Sequence, residues 1–147
     1  WVVGDGPARR HLEALAGSIY PQAEFTGSLY GPELERRFGG ADLFVLPGTG
    51  GLALQQAMSF GLPVISAEAD GTQACLVTPG NGWIIPPGDL AALSELLQTA
   101  LQDPATLRRM GRESFRIASE EVNVEAMVDA FARAVNFALG GRACTSC

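Results

Sequence analysis

One repeating order narrows what this chain can become: a short apolar strand, a glycine or proline turn, then an amphipathic helix. Trp1-Val2-Val3 reads as a core strand, and Pro7 in the turn Gly4-Asp5-Gly6-Pro7 is placed for a first helical turn. His11, Leu12, Leu15 and Ala16 fit the helix that follows. A second strand at Glu24–Gly27 leads through Gly31-Pro32 into a helix with Leu34 and Phe38 at i, i+4 spacing. Asp42–Leu46 is almost wholly apolar, as a parallel strand covered on both faces must be. Gly48-Thr49-Gly50-Gly51 breaks it before a helix from Leu52 to Phe60, and Pro63–Ser66 and Ile84-Ile85 complete the strands. The remainder reads as helix. Asp89 caps a face of Leu90, Leu93, Leu97 and Leu101; Asp103-Pro104 opens a helix with Leu107, Met110 and Phe115. Val124, Met127, Val128, Phe131 and Val135 keep the helical period to the end. Strands alternating with helices predict an α/β fold, a Rossmann-like doubly wound parallel sheet.

A chain of 147 residues suits one domain, here 1–139, followed by a flexible tail at 140–147. Neither an internal repeat nor a linker interrupts it. A start inside a strand, without an initiator methionine, predicts a domain truncated at its N-terminal edge. The net charge of −6, with ten basic residues, argues against a nucleic-acid groove, which needs lysine and arginine at phosphates. A small phosphorylated ligand is still compatible, because backbone amides hold phosphate without net positive charge. No apolar run reaches the roughly 20 residues of a membrane-spanning helix, and no signal-peptide pattern occurs. Cys75 lies in an apolar stretch and reads as a small buried hydrophobe. Cys144 and Cys147 form a terminal CxxC, but with one distant histidine, His11, they fall short of a four-ligand zinc site.

In a doubly wound sheet the ligand lies beyond the carboxyl ends of the strands. The junction from Leu46 to Met58, LPGTGGLALQQAM, is therefore the leading candidate. There an apolar strand feeds a glycine-rich turn and at once a helix, whose free amides can cradle phosphate oxygens. Thr49 adds a hydroxyl, and Gln55 or Gln56 can hydrogen-bond a sugar or ribose hydroxyl if it faces the cleft. A tight turn with no ligand is the competing reading of the same glycines. The chain contains no lysine and no GxxxxGK[ST], which removes a P-loop nucleotidase, and Gly4-Asp5-Gly6-Pro7 lacks the GxGxxG spacing of a dinucleotide oxidoreductase. Asp70-Gly71-Thr72-Gln73 follows a core strand and is rich in donors and acceptors, as a ligand loop or a plain surface loop would be. Asn81-Gly82 is a turn signal first. His11 is a candidate base on the helix beyond the first turn, or a surface or packed histidine.

The ordered set VVGDGP, FTG, ADLFVLPG…GGLALQQAMSFGLPVIS, GNGWIIPPGD and ALQDPATLRRMG resembles the C-terminal domain of the retaining glycosyltransferase family 4, which has the GT-B fold. The resemblance covers residues 1 to 137. It implies a two-domain enzyme whose C-terminal domain holds a nucleotide-diphosphate sugar, such as a UDP- or GDP-sugar, with no cofactor and no metal. The acceptor, a sugar, glycolipid or lipid-linked saccharide, would sit on a missing N-terminal domain. Relatives build surface polysaccharides and glycoconjugates in the cytoplasm, some at the inner face of the membrane, so peripheral membrane contact is expected only of the full protein.

The family signature EGFGLxxxEAM carries two glutamates eight residues apart, the first tending to contact the donor sugar and the second the ribose. Aligned on Ala57-Met58, the second falls on Gln56 and the first on Gly48, in a loop that is shortened here. Gln56 keeps hydrogen-bonding capacity; Gly48 offers only backbone. By the same resemblance Gly50, Gly51 and Leu52 face the diphosphate with Thr49 beside them, and Leu29 and Tyr30 pack against the base. The family's basic pair from an earlier strand-loop has no match. No catalytic residue is assigned, and the isolated domain is expected to be inactive. Two alternatives stay open: a degenerate homologue that binds nucleotide sugar without transferring it, and a fragment of a GT-B sugar-nucleotide epimerase.

Overall fold

The computed structural model describes residues 1–48 and 50–140. Thr49 and the terminal pair Cys144 and Cys147 lie outside the described residues, as does the expected tail from residue 141 onward. The chain divides into two compact units, Trp1–Gly40 and Ala41–Cys147.

In the first unit, β1 (Val2–Val3) pairs in parallel with β2 (Phe25–Gly27). Parallel neighbours need a long crossover, and α1 (Arg9–Ile19) supplies it; α2 (Gly31–Gly39) follows β2. Arg9 ties α1 down, bonding Glu13 at 2.8 Å and the Phe25 carbonyl at 3.4 Å. Its guanidinium crosses Gly27 so closely that a Cβ there would lie 2.8 Å from Nη1. In α2, Glu33 in the first turn and Arg36 and Arg37 in the last match the helix dipole. Arg37 stacks 4.7 Å above the Trp1 ring and pairs with the Glu24 carboxylate. The expected core strand at Trp1-Val2-Val3 is corrected here: it forms, but its side chains are exposed. Its single strand neighbour is β2, and α1 has no buried residue to cover it.

In the second unit, β3 (Phe44–Leu46), β4 (Val64–Ala67) and β5 (Gly82–Ile85) form a parallel sheet in that order, Phe44 opposite Val64 and Val64 opposite Gly82. α3 (Gly51–Ser59) joins β3 to β4, and α4 (Thr72–Leu76) precedes β5. The chain ends in α5 (Leu90–Leu101), α6 (Pro104–Glu120) and α7 (Val124–Ala138). Central β4 is buried along its whole length. The pleat turns Ile65 and Ala67 to one face, where with Ile85 they meet Leu93, Leu96 and Leu97 of α5. Val64 and Ser66 point to the opposite face and are equally buried. α3 packs on β3, β4 and α6 and carries the fully buried Leu54, Ala57 and Met58. This is the expected Rossmann-like α/β arrangement, with every described strand pair parallel.

Two backbone approaches fix the helices and strands. A Cβ on Gly111, in α6, would lie 2.1 Å from the Gly61 carbonyl oxygen, just after α3, and one on Gly82 would lie 2.2 Å from the Val64 carbonyl oxygen. Asn81 is more than a turn residue. It is fully buried, its Oδ1 accepts from the Thr78 amide at 2.7 Å, and its Nδ2 donates to the Leu76 carbonyl at 3.1 Å. The side chains of Asp89, Asp103 and Asn123 cap α5, α6 and α7, each accepting a backbone amide three residues on.

Several expected core positions face outward instead. Leu90 and Leu101 sit at the ends of α5 and are exposed, the inward stripe being Leu93, Leu96 and Leu97 with buried Ala100. In α6 the buried stripe is Leu107, Met110, Gly111, Ser114 and Ile117, which rotates Phe115 to the surface. α7 keeps its apolar period but has no buried residue. Cys75 is exposed, because the single turn of α4 directs Gln73 and Leu76 inward.

Candidate nucleotide-binding site

The junction between β3 and α3 takes the form the sequence predicts. β3 ends at Leu46, Pro47 cannot continue it, and the helix begins at Gly51. Gly50 occupies the N-cap position with φ of 153°, a conformation that side-chain-bearing residues avoid, and a Cβ there would meet Leu46 Cδ2 at 3.0 Å. Among the described residues no side chain caps the helix. The first amides of any α-helix lack partners within it, and the dipole concentrates partial positive charge at that end. Gly48 faces open space: its chain neighbours apart, no described atom lies within 4 Å of where a Cβ would stand. Leu52 projects outward, 82% exposed, and buries nothing that would close the approach.

The segment after β4 meets the same junction. A Cβ on Gly51 would lie 3.5 Å from Cβ and Oγ1 of Thr72, so the first residue of α3 lies against the first residue of α4. The sequence offers Asp70–Gln73 as a polar loop; the structure makes it the cap and first turn of α4. Gly71 holds a left-handed conformation at φ 91°, and Asp70 Oδ1 accepts from the Thr72 amide at 3.1 Å and from the Thr72 hydroxyl. The hydroxyl, then the amide, holds the Asp70 carboxyl below the usual carboxylate range. Gln73 points inward and is 1% exposed, and among the described residues neither Oε1 nor Nε2 completes a hydrogen bond. Its amide lies near enough to the Asp70 carboxylate to contribute slightly to that lowering.

Among the proposed site residues, the structure groups Gly48, Gly50, Gly51 and Leu52 at one junction. Gln56, one turn into α3, has an exposed side chain, while Gln55 is half-buried. Leu29 and Tyr30 belong to the first unit. Leu29 lines an open groove of about 510 Å³ with Trp1, Glu24, Glu33 and Arg36, and Tyr30, the N-cap residue of α2, is 79% exposed. His11 lies exposed on α1. Among the described residues no three His, Cys, Asp or Glu side chains gather as a metal would require. None of the described helices is long and apolar enough to cross a membrane. Sequence reasoning missed the burial of Gln73. The one available signal was its place two residues after Gly71, where a short helix turns its second residue under the loop.

A parallel sheet covered on both faces, with a glycine junction opening a helix at its carboxyl edge, defines a Rossmann-like domain of the class that takes phosphate-bearing ligands there. The family described as glycosyl transferases group 1 matches residues 1–103, and the chain belongs to it. It is 36% identical over 116 residues to sulfoquinovosyl transferase SQD2 of Arabidopsis thaliana, covering 75% of this chain and 22% of that protein. It is also 36% identical over 91 residues to a GDP-mannose-dependent alpha-mannosyltransferase of Mycobacterium tuberculosis, covering 60% of this chain and 23% of that protein. The chain thus spans less than a quarter of the length of either relative. Sucrose-phosphate synthase from Thermosynechococcus elongatus superposes with a TM-score of 0.78 at 26% identity, over 94% of this chain and 38% of that one. Anabaena HepE, solved with UDP-glucose, superposes with a TM-score of 0.71 at 22% identity, over 91% of this chain and 39% of that one, a likeness of fold.

Proposed function

We propose that this chain is the C-terminal, donor-binding part of a two-domain retaining glycosyltransferase, and that the β3–α3 junction receives the diphosphate of a nucleotide sugar. The observation that carries this reading is the N-terminus of α3 behind Gly50, where among the described residues no side chain is bonded to the first amides. As the glycosyl bond breaks, negative charge grows on the departing diphosphate. Amides of Gly50, Gly51 and Leu52, fixed in advance by the helix, stabilise that charge without reorganising, and no metal is needed for it. The acceptor, a sugar or glycolipid in surface polysaccharide or glycoconjugate synthesis, binds a domain outside this chain, so the isolated chain transfers no sugar. The family membership and the named activities of the relatives support this reading. In the whole protein the work is done in the cytoplasm.

The test is a titration of the chain with UDP, GDP and ADP followed by backbone amide chemical shifts. Saturable shifts centred on Gly48–Leu52 for one nucleotide are expected. No shift with any of the three at millimolar concentration would refute donor binding by this chain. A binding module that no longer transfers sugar is the second reading, favoured by the lack of a carboxylate at both Gly48 and Gln56.

A further inference from the structure

We infer that Gln73 is a specificity-determining residue of this site, its carboxamide holding two neighbouring hydroxyls of the transferred sugar; the inference rests on the proposed donor-binding function. Buried amides in native proteins nearly always have partners, and each orphan needs a reason. Gln73 is 1% exposed, and among the described residues neither its donor nor its acceptor completes a hydrogen bond, the Asp70 carboxylate being its charged neighbour. Its place is specific. Gln73 follows Thr72, whose side chain lies against Gly51 at the head of α3, and its amide lies beside the Asp70 carboxylate in the loop leaving β4.

The chemistry of the two orphaned atoms selects the ligand group. Phosphate oxygens accept only, so a diphosphate satisfies Nε2 and leaves Oε1 bare. Adjacent hydroxyls of a pyranose do both: one donates to Oε1 while its neighbour accepts from Nε2. The diphosphate at the α3 amides would bring the sugar to this neighbourhood, since the glycosyl group is bonded directly to it. Residues 68–72, which lead into Gln73 along the chain, are all exposed.

The inference is tested on the whole chain with the pairs UDP and UDP-glucose, and GDP and GDP-mannose. In the wild type, the Gln73 side-chain NH2 resonances should shift with the nucleotide sugar and stay in place with the matching diphosphate. Gln73→Leu keeps the size and removes the amide. It should weaken the nucleotide sugar about tenfold, as the loss of two neutral hydrogen bonds implies, and change the diphosphate affinity less than twofold. Unmoved side-chain resonances, or equal effects of Gln73→Leu on both ligands, would overturn the role of Gln73 while leaving the donor site standing. A wild type that binds no nucleotide would overturn both. The wild-type resonances decide the matter even if the variant does not fold.

Discussion

Replacing Gly111 by alanine sets two effects of opposite sign against each other, and the structure says which is larger. In an open helix the change favours folding by about 1 kcal/mol, since glycine is a poor helix former. Gly111 is not in open space. The added Cβ would lie 2.1 Å from the Gly61 carbonyl oxygen and 3.5 Å from Pro63 Cδ, whereas real Cβ atoms essentially never come within 3.0 Å of another atom. The backbone of α6 must therefore retreat from the end of α3 by close to an ångström. Overpacking of this kind costs roughly 1–3 kcal/mol. A gap of about that width also forfeits a quarter to a half of the dispersion attraction across the seam. The net expectation is a loss of about 2 kcal/mol, which at a urea slope near 2 kcal/mol/M lowers the unfolding midpoint by about 1 M. Trp83 in β5 is the reporter, with Trp1 replaced by phenylalanine in both proteins so that the signal belongs to the second unit. An unchanged or raised midpoint for Gly111→Ala would refute the close crossing of α6 over Gly61.

Two further outcomes follow from the site. Gly48 faces open space without a left-handed backbone and Gln56 is exposed, so the double variant Gly48→Glu/Gln56→Glu should fold with stability within about 0.5 kcal/mol of wild type; a loss above about 1 kcal/mol by urea unfolding would show that the loop cannot carry the family's carboxylates. Asp70 has a lowered pKa in the folded chain because the Thr72 hydroxyl and amide bond its charged form. Its contribution is thus fully present above the ordinary aspartate range and is lost as pH falls through the lowered value; an NMR titration of Thr72 reporting an Asp70 pKa at or above the ordinary range would contradict the capping geometry.

The parts of the fold legible in the sequence were those where composition and punctuation agree. Phe44-Val45-Leu46 stops at Pro47, Val64 to Ala67 lies between Pro63 and a polar loop, and Asp103-Pro104 opens α6. The helix beginning after Gly50 was readable for the same reason. Less visible were features decided by tertiary distance. Gly82 reads as half of a turn and Gly111 gives no signal in the sequence, yet both are glycine because a carbonyl oxygen occupies the space of a Cβ. α4 spans only five residues, too few to show a period, so the inward turn of Gln73 and the outward turn of Cys75 could not be read. Periodicity gave the apolar stripes of α5 and α6 but not their edges, which is where Leu90, Leu101 and Phe115 fall.

Asn81-Gly82 has a chemical side beyond its architecture. An asparagine followed by glycine is the pair most prone to deamidation, since nothing on glycine hinders its amide nitrogen from attacking the asparagine side chain. Here both reacting groups are engaged: the Asn81 amide is held by Thr78 and Leu76, and the Gly82 nitrogen donates to the Thr78 carbonyl at 3.0 Å. The folded chain therefore protects its own most perishable bond, and loss of ammonia at residue 81 becomes a clock that runs only while the segment between α4 and β5 is open.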